Sequence, residues 1–340
     1  MAGDIYQEIW DADQGHAGVR AVRPTDKGDE NGSDGYAVVD EKAAASREHR
    51  LLPAIHIPEG KLESYRRVAA MFNNYTLDQT KRENDTPEEQ AEVQAFLQAI
   101  HRTPPMEVAR EYAARQTGRA IGHDEWWATV ERVWFERGNM GGNLDLSGFE
   151  HTMVGEQKQG KLGGYHFWYK YYLDENFVRT PGAPTEDLID FNVWKHGTED
   201  TPDVVTLSYV WRAFDYEAGQ YRKLTKPTGG FWVGPSAEGL LAMGTVRFLG
   251  EVNAPREAVI NGHRYKLSVH AGASSRNLRS FYPEYVGPVN AGGAKGGFLE
   301  ALSMATVGDA ERILQPAPSV VGRSGLYEIN EDTGEVIPFR

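Results

Sequence analysis

The chain has 340 residues, a formal net charge of −13 and no cysteine. The lack of cysteine excludes disulfides, thiolate catalysis and cysteine-ligated zinc. An acidic balance is unusual for a protein that binds nucleic acid, because phosphate contacts require Lys and Arg. Any site for a nucleic acid would therefore be a local basic patch with a short footprint.

The first part of the sequence predicts a loop followed by helices. Residues 13–42 are rich in Gly and Asp and are predicted to form a long, loosely packed loop. Four helices are expected to follow, beginning near Leu62, Thr86, Pro105 and Asp124. Thr86 begins the clearest of them, because a capping threonine, a proline at the first helical position and Glu89 occur together there.

From about residue 200 the pattern becomes typical of strands. Apolar side chains alternate with more polar neighbours, as in a half-buried strand, at Val205, Leu207, Tyr209 and Trp211. The pair Asn261-Gly262 predicts a hairpin, another strand is expected over 279–285, and one helix is expected over 236–249. The predicted fold class is α+β, with a helix-rich N-terminal half followed by antiparallel β-sheets with a few helices.

We predict three regions along the chain. They are an N-terminal helical region (1–140), an α+β region that holds the candidate chemistry (141–290) and a C-terminal extension (291–340). In the extension, a short helix is expected after the glycine-rich stretch 292–297, and a turn at 331–334. The first ten residues show no secretory signal, and no run of about 18 apolar residues predicts a membrane span.

Two histidines form the most informative pattern. His151 and His166 are flanked by glycines, and Glu150 and Glu156 lie close to the first of them in sequence. Glycines allow a ligand to approach closely, a nearby carboxylate can fix the tautomer of an imidazole, and two imidazoles can act as general base and general acid. Taken alone, each histidine would be interpreted as a structural residue that caps or hydrogen-bonds within the fold. His and Glu at such spacings could also bind zinc or manganese, although no sharp metal motif is present.

Two further segments carry polar groups beside strand-like runs. Lys226 precedes a glycine-rich turn, and Ser280 and Tyr282 lie in a short aromatic segment. Taken alone, the lysine would be interpreted as a solvated turn residue and the second segment as a strand end with a packed aromatic ring.

The segments 148–156, 164–168, 226–234 and 280–283 resemble, in their order and approximate spacing, the motifs of the EndoU endoribonucleases. The opening 5–13 resembles that of the eukaryotic, poly(U)-specific members. Residues 88–114, with 134–136, resemble the helical region that precedes their catalytic core. The resemblance covers roughly residues 1–287, so it implies an α+β, EndoU-like fold and cleavage of single-stranded RNA at or near uridines.

The resemblance implies a role for each matching residue. The catalytic set would be His151, His166 and Lys226, with His166 as base and His151 as acid. Ser280 stands where the family usually has threonine and Tyr282 matches its tyrosine, so both are expected to contact the substrate. Glu150 and Glu156 occupy positions with supporting acidic residues.

One position departs from the family pattern. Gly230 stands where several relatives carry a serine that selects uracil, so Thr228 or a backbone amide is expected to take over that contact. Arg276 and Arg279 are candidates for phosphate contacts.

The implied reaction uses the 2′-hydroxyl of RNA as its nucleophile and leaves a 2′,3′-cyclic phosphate. Two histidines move the protons and a lysine offsets the charge of the phosphorane, so no cofactor is required. Manganese dependence varies in the family. Glu150 and Glu156 could hold such an ion indirectly, but orienting His151 is the preferred interpretation.

The expected partner is single-stranded RNA, with no DNA and no membrane, and the oligomeric state is open. The localisation is also open, between the cytoplasm and a delivered toxin. Two alternatives remain, namely an RNA-binding protein with weak or lost catalysis and a metal-dependent hydrolase that uses the His/Glu cluster.

Overall fold

A computed structural model describes residues 4–15, 18–26, 35–44, 49–177, 187–194 and 200–289, with two short strands at Tyr327–Ile329 and Val336–Pro338. Within these ranges helices fill most of the N-terminal half, and strands dominate the second half. The predicted α+β class is confirmed. The helix predicted after 292–297 and the turn predicted at 331–334 lie outside the described residues.

The N-terminal half combines a small sheet with a layer of helices. It contains α1 (Ile5–Gln14), β1 (Val19–Val22), β2 (Gly35–Val38), β3 (Ile55–His56), α2 (Glu59–Ala70), α3 (Pro87–Ile100), α4 (Pro104–Thr117) and α5 (His123–Phe135). The four predicted helices are confirmed as α2 to α5. At the start of α3, Thr86 accepts a hydrogen bond from the Glu89 amide, and the Glu89 side chain accepts one from the Thr86 amide.

The loop predicted over 13–42 is wrong in part. The helix α1 continues to Gln14, and β1 and β2 lie inside the range, where they pair in parallel. Val19 and Ala37 are buried in the core. These strands escaped prediction because they are short and depend on pairing with one another and with β3, rather than on a local pattern.

The second half begins with short strands and a single-turn π-helix at Glu150–Val154. Its elements are β4 (Gly138–Met140), β5 (Asn143–Leu146), β6 (Glu156–Lys158), β7 (Lys161–Gly163), α6 (Trp168–Glu175), β8 (Ile189–Trp194), β9 (Val204–Asp215), β10 (Gln220–Trp232), α7 (Ala237–Phe248), β11 (Glu257–Ile260), β12 (His263–Ala271) and β13 (Leu278–Pro288). The predicted α7 and the predicted strand in β13 are confirmed, whereas α6 was not predicted.

Two sheets carry most of these strands. One has the order β6-β7-β10-β9-β8, in which β7 and β10 pair in parallel and the other neighbours are antiparallel. The other is the antiparallel sheet β11-β12-β13. Asn261 and Gly262, with φ of 51° and 78°, connect β11 to β12, which confirms the predicted hairpin.

The strand β9 is more buried than its alternating pattern predicts. Tyr209 and Trp211 are buried, but the intervening Ser208 and Val210 are buried as well. Because β9 lies between β8 and β10 and has both faces covered, the prediction of a half-buried strand is wrong.

The two halves share one hydrophobic core. The Tyr6 hydroxyl of α1 donates to the carbonyl of Pro255 at 2.6 Å, and the Trp134 indole of α5 donates to the carbonyl of Leu241 at 3.2 Å. The helical half is thereby packed against α7 and the β11-β12-β13 sheet, which support the candidate site. In the part of the chain that the structure describes, no helix is long and apolar enough to cross a membrane.

Candidate active site

The two predicted histidines are brought together by a short chain reversal. His151 lies on the π-helix, the chain then turns through β6 and β7, and the amide of Tyr165 donates to the carbonyl of His151 at 2.8 Å. Gly164 at this contact has a φ of 65°, and a Cβ there would lie 1.7 Å from the His151 carbonyl oxygen. Only glycine fits at this position, so Gly164 allows His166 to follow directly beside the His151 segment.

The imidazole rings of His151 and His166 lie near each other, with centroids 6.4 Å apart and planes inclined by 46°. His166 Nδ1 lies 2.8 Å from the carbonyl oxygen of Gly230, and His151 Nδ1 lies 2.7 Å from Oε1 of Glu156. Both partners only accept hydrogen bonds, so each Nδ1 carries the proton and donates it. Each ring therefore has its Nε2 left for proton transfer to a substrate.

Lys226 joins the two histidines from β10. Its side chain is buried, and Nζ donates to the carbonyl of Gly164 at 2.7 Å. The strand is irregular between Lys226 and Gly229, and a Cβ at Gly229 would lie 2.9 Å from Cε of the lysine. Gly229 thus leaves room for the Lys226 side chain to point inward. Lys226 is therefore not the solvated turn residue that its local sequence favours.

The site lowers the proton affinity of all three groups. Burial lowers the pKa of Lys226 to about 8. Burial also lowers the pKa of His166 well below its ordinary value, and the positive charge of Lys226 adds to the effect. For His151 the pKa falls well below its ordinary value through burial, with further contributions from Arg279 and Lys226. In the free protein at neutral pH, both imidazoles are therefore neutral and able to accept a proton.

Glu156 supports His151 directly. The carboxylate is almost fully buried, and its Oε1 accepts from both His151 Nδ1 and the guanidinium of Arg279. Arg279 also donates to the carbonyl of Ser147 at 3.2 Å. Arg279 is therefore enclosed and paired, so its predicted phosphate contact is wrong. Arg276 lies on the surface and pairs with Glu136 at 3.3 Å.

Glu150 has a different environment from Glu156. Burial raises the pKa of its carboxyl to about 8, and the charge of Glu83 adds to the shift. Its amide donates to Oγ of Ser147 at 3.2 Å, and none of the contacts recorded for it involves a histidine. At neutral pH the Glu150 carboxyl therefore retains its proton to a large extent, and the orientation of His151 falls to Glu156.

Ser280 and Tyr282 reach the same site from β13. The Tyr282 ring stacks on His166, with centroids 4.5 Å apart and planes inclined by 17°. Ser280 is buried, and its Oγ has no hydrogen-bond partner among the described residues. A buried hydroxyl without a hydrogen-bond partner is destabilising, because it has lost its contacts with water.

The other two predicted substrate residues behave differently. Thr228 is exposed, and its hydroxyl donates to the carbonyl of Pro227 at 2.8 Å. Gly230 is buried, and it contacts His166 through its backbone carbonyl. A Cβ at this position would lie 3.4 Å from Oγ1 of Thr206 and 3.2 Å from the carbonyl oxygen of Val205, so space for a side chain is tight.

His270 is a neighbour of the site that the sequence did not indicate. It lies on β12, paired with Ser280 across the sheet, and its ring lies 6.3 Å from that of Tyr282 in a nearly parallel orientation. Its charge contributes to the lowered pKa of both His151 and His166. No local sequence pattern indicates that His270 lies near the site. Its position depends on the register between β12 and β13, which is irregular next to His270.

Within the described ranges, His, Asp and Glu side chains nowhere form a group of three that could hold a metal ion. Glu156 already accepts hydrogen bonds from His151 and Arg279. The hydrogen bonds of Glu150 among the described residues involve neither histidine side chain. The described side chains of this cluster do not fit a directly bound metal ion.

Known proteins resemble this chain over most of its length. Residues 3–283 match the family described as endoribonuclease XendoU. The poly(U)-specific endoribonuclease of Xenopus tropicalis is 27% identical over 291 residues, which cover 82% of this chain and 91% of the relative. The uridylate-specific endoribonuclease C of Danio rerio is 28% identical over 246 residues, covering 69% of this chain and 74% of the relative.

A solved structure shows the same fold. It is described as XendoU, a splicing-independent snoRNA-processing endoribonuclease, and it matches with a TM-score of 0.59 and 23% identity. The match covers 84% of this chain and 96% of the other. The fold class expected from the sequence motifs is confirmed over most of the chain.

Proposed function

Because this chain belongs to the XendoU endoribonuclease family, we propose that it cleaves single-stranded RNA at or near uridines and leaves a 2′,3′-cyclic phosphate. The observation that carries the proposal is the pair of imidazoles, 6.4 Å apart, each with Nδ1 occupied and Nε2 left for the substrate. Lys226 lies buried next to both. This arrangement contains the three functions that transesterification of RNA requires.

His166 is suited to be the base. Its Nδ1–H donates to the backbone carbonyl of Gly230, so Nε2 has a free lone pair in the neutral ring. Its lowered pKa keeps it neutral near pH 7. It would take the proton from the 2′-hydroxyl while that oxygen attacks the adjacent phosphorus.

His151 is suited to be the acid. Its Nδ1–H donates to the carboxylate of Glu156, which stabilises the ring when it carries a second proton. The approach of an anionic phosphate would raise the pKa of His151 further. On substrate binding, His151 Nε2 would take up a proton from the solvent. It would then give the Nε2 proton to the departing 5′-oxygen, and water would not be needed as a nucleophile in this step.

Lys226 provides the positive charge. Burial strengthens its interaction with the equatorial oxygens of the phosphorane, because little water screens it. Its contact with the Gly164 carbonyl holds Nζ close to the chain reversal that places His166. Substrate oxygens would compete for the remaining protons of Nζ.

Uridine preference would be set beside His166. Tyr282 presents an aromatic ring next to His166, the proposed general base. The Ser280 hydroxyl lacks a hydrogen-bond partner among the described residues. Single-stranded RNA is recognised by such combinations of stacking and contacts to base edges. Thr228 is less suited to contact the uracil base, because its hydroxyl already donates to a backbone carbonyl.

We further propose that the chemistry runs on the protein's own side chains, without a bound manganese ion. The support is the commitment of Glu156 to His151 and Arg279, which favours its orienting role. Unchanged cleavage in EDTA is the expected outcome. Activity that disappears in EDTA and returns with manganese would contradict this part of the proposal.

The direct test uses an oligodeoxynucleotide that contains one ribonucleotide at a central position. Cleavage is expected only after the ribonucleotide, most efficiently when it is uridine, and the product should end in a 2′,3′-cyclic phosphate. The matched control is the same oligonucleotide with deoxyuridine, which should remain intact. Cleavage of the control, or a product without the cyclic phosphate, would favour a hydrolase; binding without cleavage would favour an RNA-binding protein.

A further inference from the structure

The guanidinium of Arg279 lies behind the pair of His151 and Glu156. It contacts the same carboxylate oxygen that accepts from His151 Nδ1, and it also donates to the carbonyl of Ser147. Arg279 is 8% exposed and Glu156 is 1% exposed. The three side chains thus form a continuous line from the interior to the imidazole.

This contact has an energetic reason. A buried carboxylate without a positive partner is strongly destabilised, because it has lost its hydration. His151 is neutral at neutral pH in the free protein, so it cannot compensate the charge of Glu156. Within the described residues, the ion pair that compensates the charge of Glu156 is the one with Arg279.

We propose that Arg279 is a positioning residue that acts through Glu156 to orient His151 and to set its proton affinity. In kinetic terms the proposal rests on the proposed function, because it concerns the acid of that reaction. In the proposed reaction, Arg279 contacts no substrate atom. It holds the Glu156 carboxylate in place and limits how strongly that carboxylate attracts a proton onto His151.

The sign of the effect follows from the charges. Removing the positive charge of Arg279 leaves the charge of Glu156 uncompensated and also removes a repulsion on the imidazolium. Both changes raise the pKa of His151. The other titratable groups around this imidazole, which stay in place in such a variant, are Glu156, His166, Lys226 and His270.

The test compares Arg279→Gln with Arg279→Lys. Glutamine can still donate to the Ser147 carbonyl but has no charge, so the pKa of His151 is expected to rise by about one unit or more. Lysine keeps the charge but loses the planar fork, so the pKa should stay near that of the unaltered protein while kcat falls about tenfold. The matched control is Arg264→Gln, which changes an exposed arginine on β12 of the same sheet.

Two measurements test the proposal, one of the pKa of His151 and one of the coupling between Arg279 and Glu156. Histidine proton resonances, followed by NMR against pH, give the pKa of His151 without any catalytic assumption. Steady-state kinetics of Arg279→Lys, Glu156→Gln and the double variant give the coupling between the two positions. Residues that act as a unit are strongly non-additive, so the double variant should lose little more activity than the poorer single variant.

The results separate this proposal from the proposed function. An unmoved pKa of His151 in folded Arg279→Gln, or losses of kcat that multiply in the double variant, would overturn the role of Arg279. If Arg279→Gln does not fold, the coupling measured with Arg279→Lys decides alone. Failure of the proposed function would appear already in the unaltered protein, as missing cyclic-phosphate product, while the NMR titration would still report on Arg279.

Discussion

His166 is oriented by a backbone group, because its Nδ1 lies 2.8 Å from the carbonyl oxygen of Gly230. His151 is oriented instead by a side chain, the carboxylate of Glu156. Both partners fix the tautomer and favour the doubly protonated ring, but the charged carboxylate does so more strongly than the neutral carbonyl. This asymmetry underlies the assignment of His166 as the base and His151 as the acid.

Replacing either histidine should nearly abolish cleavage. Because each proton transfer contributes about 10²- to 10⁴-fold, His151→Ala and His166→Ala are each expected to lower kcat by that range. The measurement is single-turnover cleavage of a uridine-containing oligonucleotide. The matched control is His56→Ala, because His56 is exposed on β3. This variant should cleave at the normal rate. A variant of His166 that retains full activity would remove it from the reaction.

The pH profile should differ between the free and the substrate-bound enzyme. In the free protein the pKa of His151 lies well below its ordinary value, so the acid loses its proton as pH rises through that low pKa. A bound phosphate raises the pKa. The alkaline fall of kcat/KM is therefore expected at a lower pH than the alkaline fall of kcat, as measured by steady-state kinetics across pH. Coincident alkaline limbs would speak against His151 as the acid.

Lys226 should be irreplaceable by a neutral residue. Removing one preorganised donor or charge at a developing anion costs about 10²- to 10³-fold in kcat, which is the loss expected for Lys226→Gln. Lys223→Gln on the same strand, outside the site, is the control. Lys226→Arg should restore little, because Gly229 and the Gly164 carbonyl leave limited space around Nζ. Full activity in Lys226→Gln would show that the charge is not needed.

Ser280 should influence the choice of base more than the rate of the chemical step. Its Oγ has no partner among the described residues, so Ser280→Ala is expected to lower the ratio of kcat/KM for uridine over adenosine substrates. Ser280→Thr keeps the hydroxyl and should keep the ratio. Competition between two labelled oligonucleotides measures it directly. An unchanged ratio in Ser280→Ala would place uridine selection elsewhere.

Stability should depend on a buried ion network that includes neither His151 nor His166. Lys61 on α2 bridges Asp13 at 2.6 Å and Glu238 at 3.1 Å, and both carboxylates are buried. Lys61→Met leaves them uncompensated, so the free energy of unfolding should fall by about 3–5 kcal/mol. Urea unfolding is the measurement, with the exposed Lys158→Met as control. A change below about 1 kcal/mol would show that the pair contributes little.

Local patterns predicted much of the fold. The capping residues at Thr86, the turn at Asn261-Gly262 and the helix after Ser236 act over a few residues, and all three are confirmed. The strands β1 and β2 and the burial of both faces of β9 were not predicted. Those features depend on partners that are distant in the sequence.

By itself, the sequence determined the identity of the chemical groups: the ordered motifs named His151, His166 and Lys226, and the glycines around them indicated close approach. Only the tertiary structure decided how these groups are used. The Gly230 carbonyl accepts a hydrogen bond from His166, and Arg279, a candidate for phosphate contacts in the sequence, is buried behind Glu156. The physical reason is that side-chain chemistry is local, whereas burial and charge pairing arise when distant strands and loops are packed together.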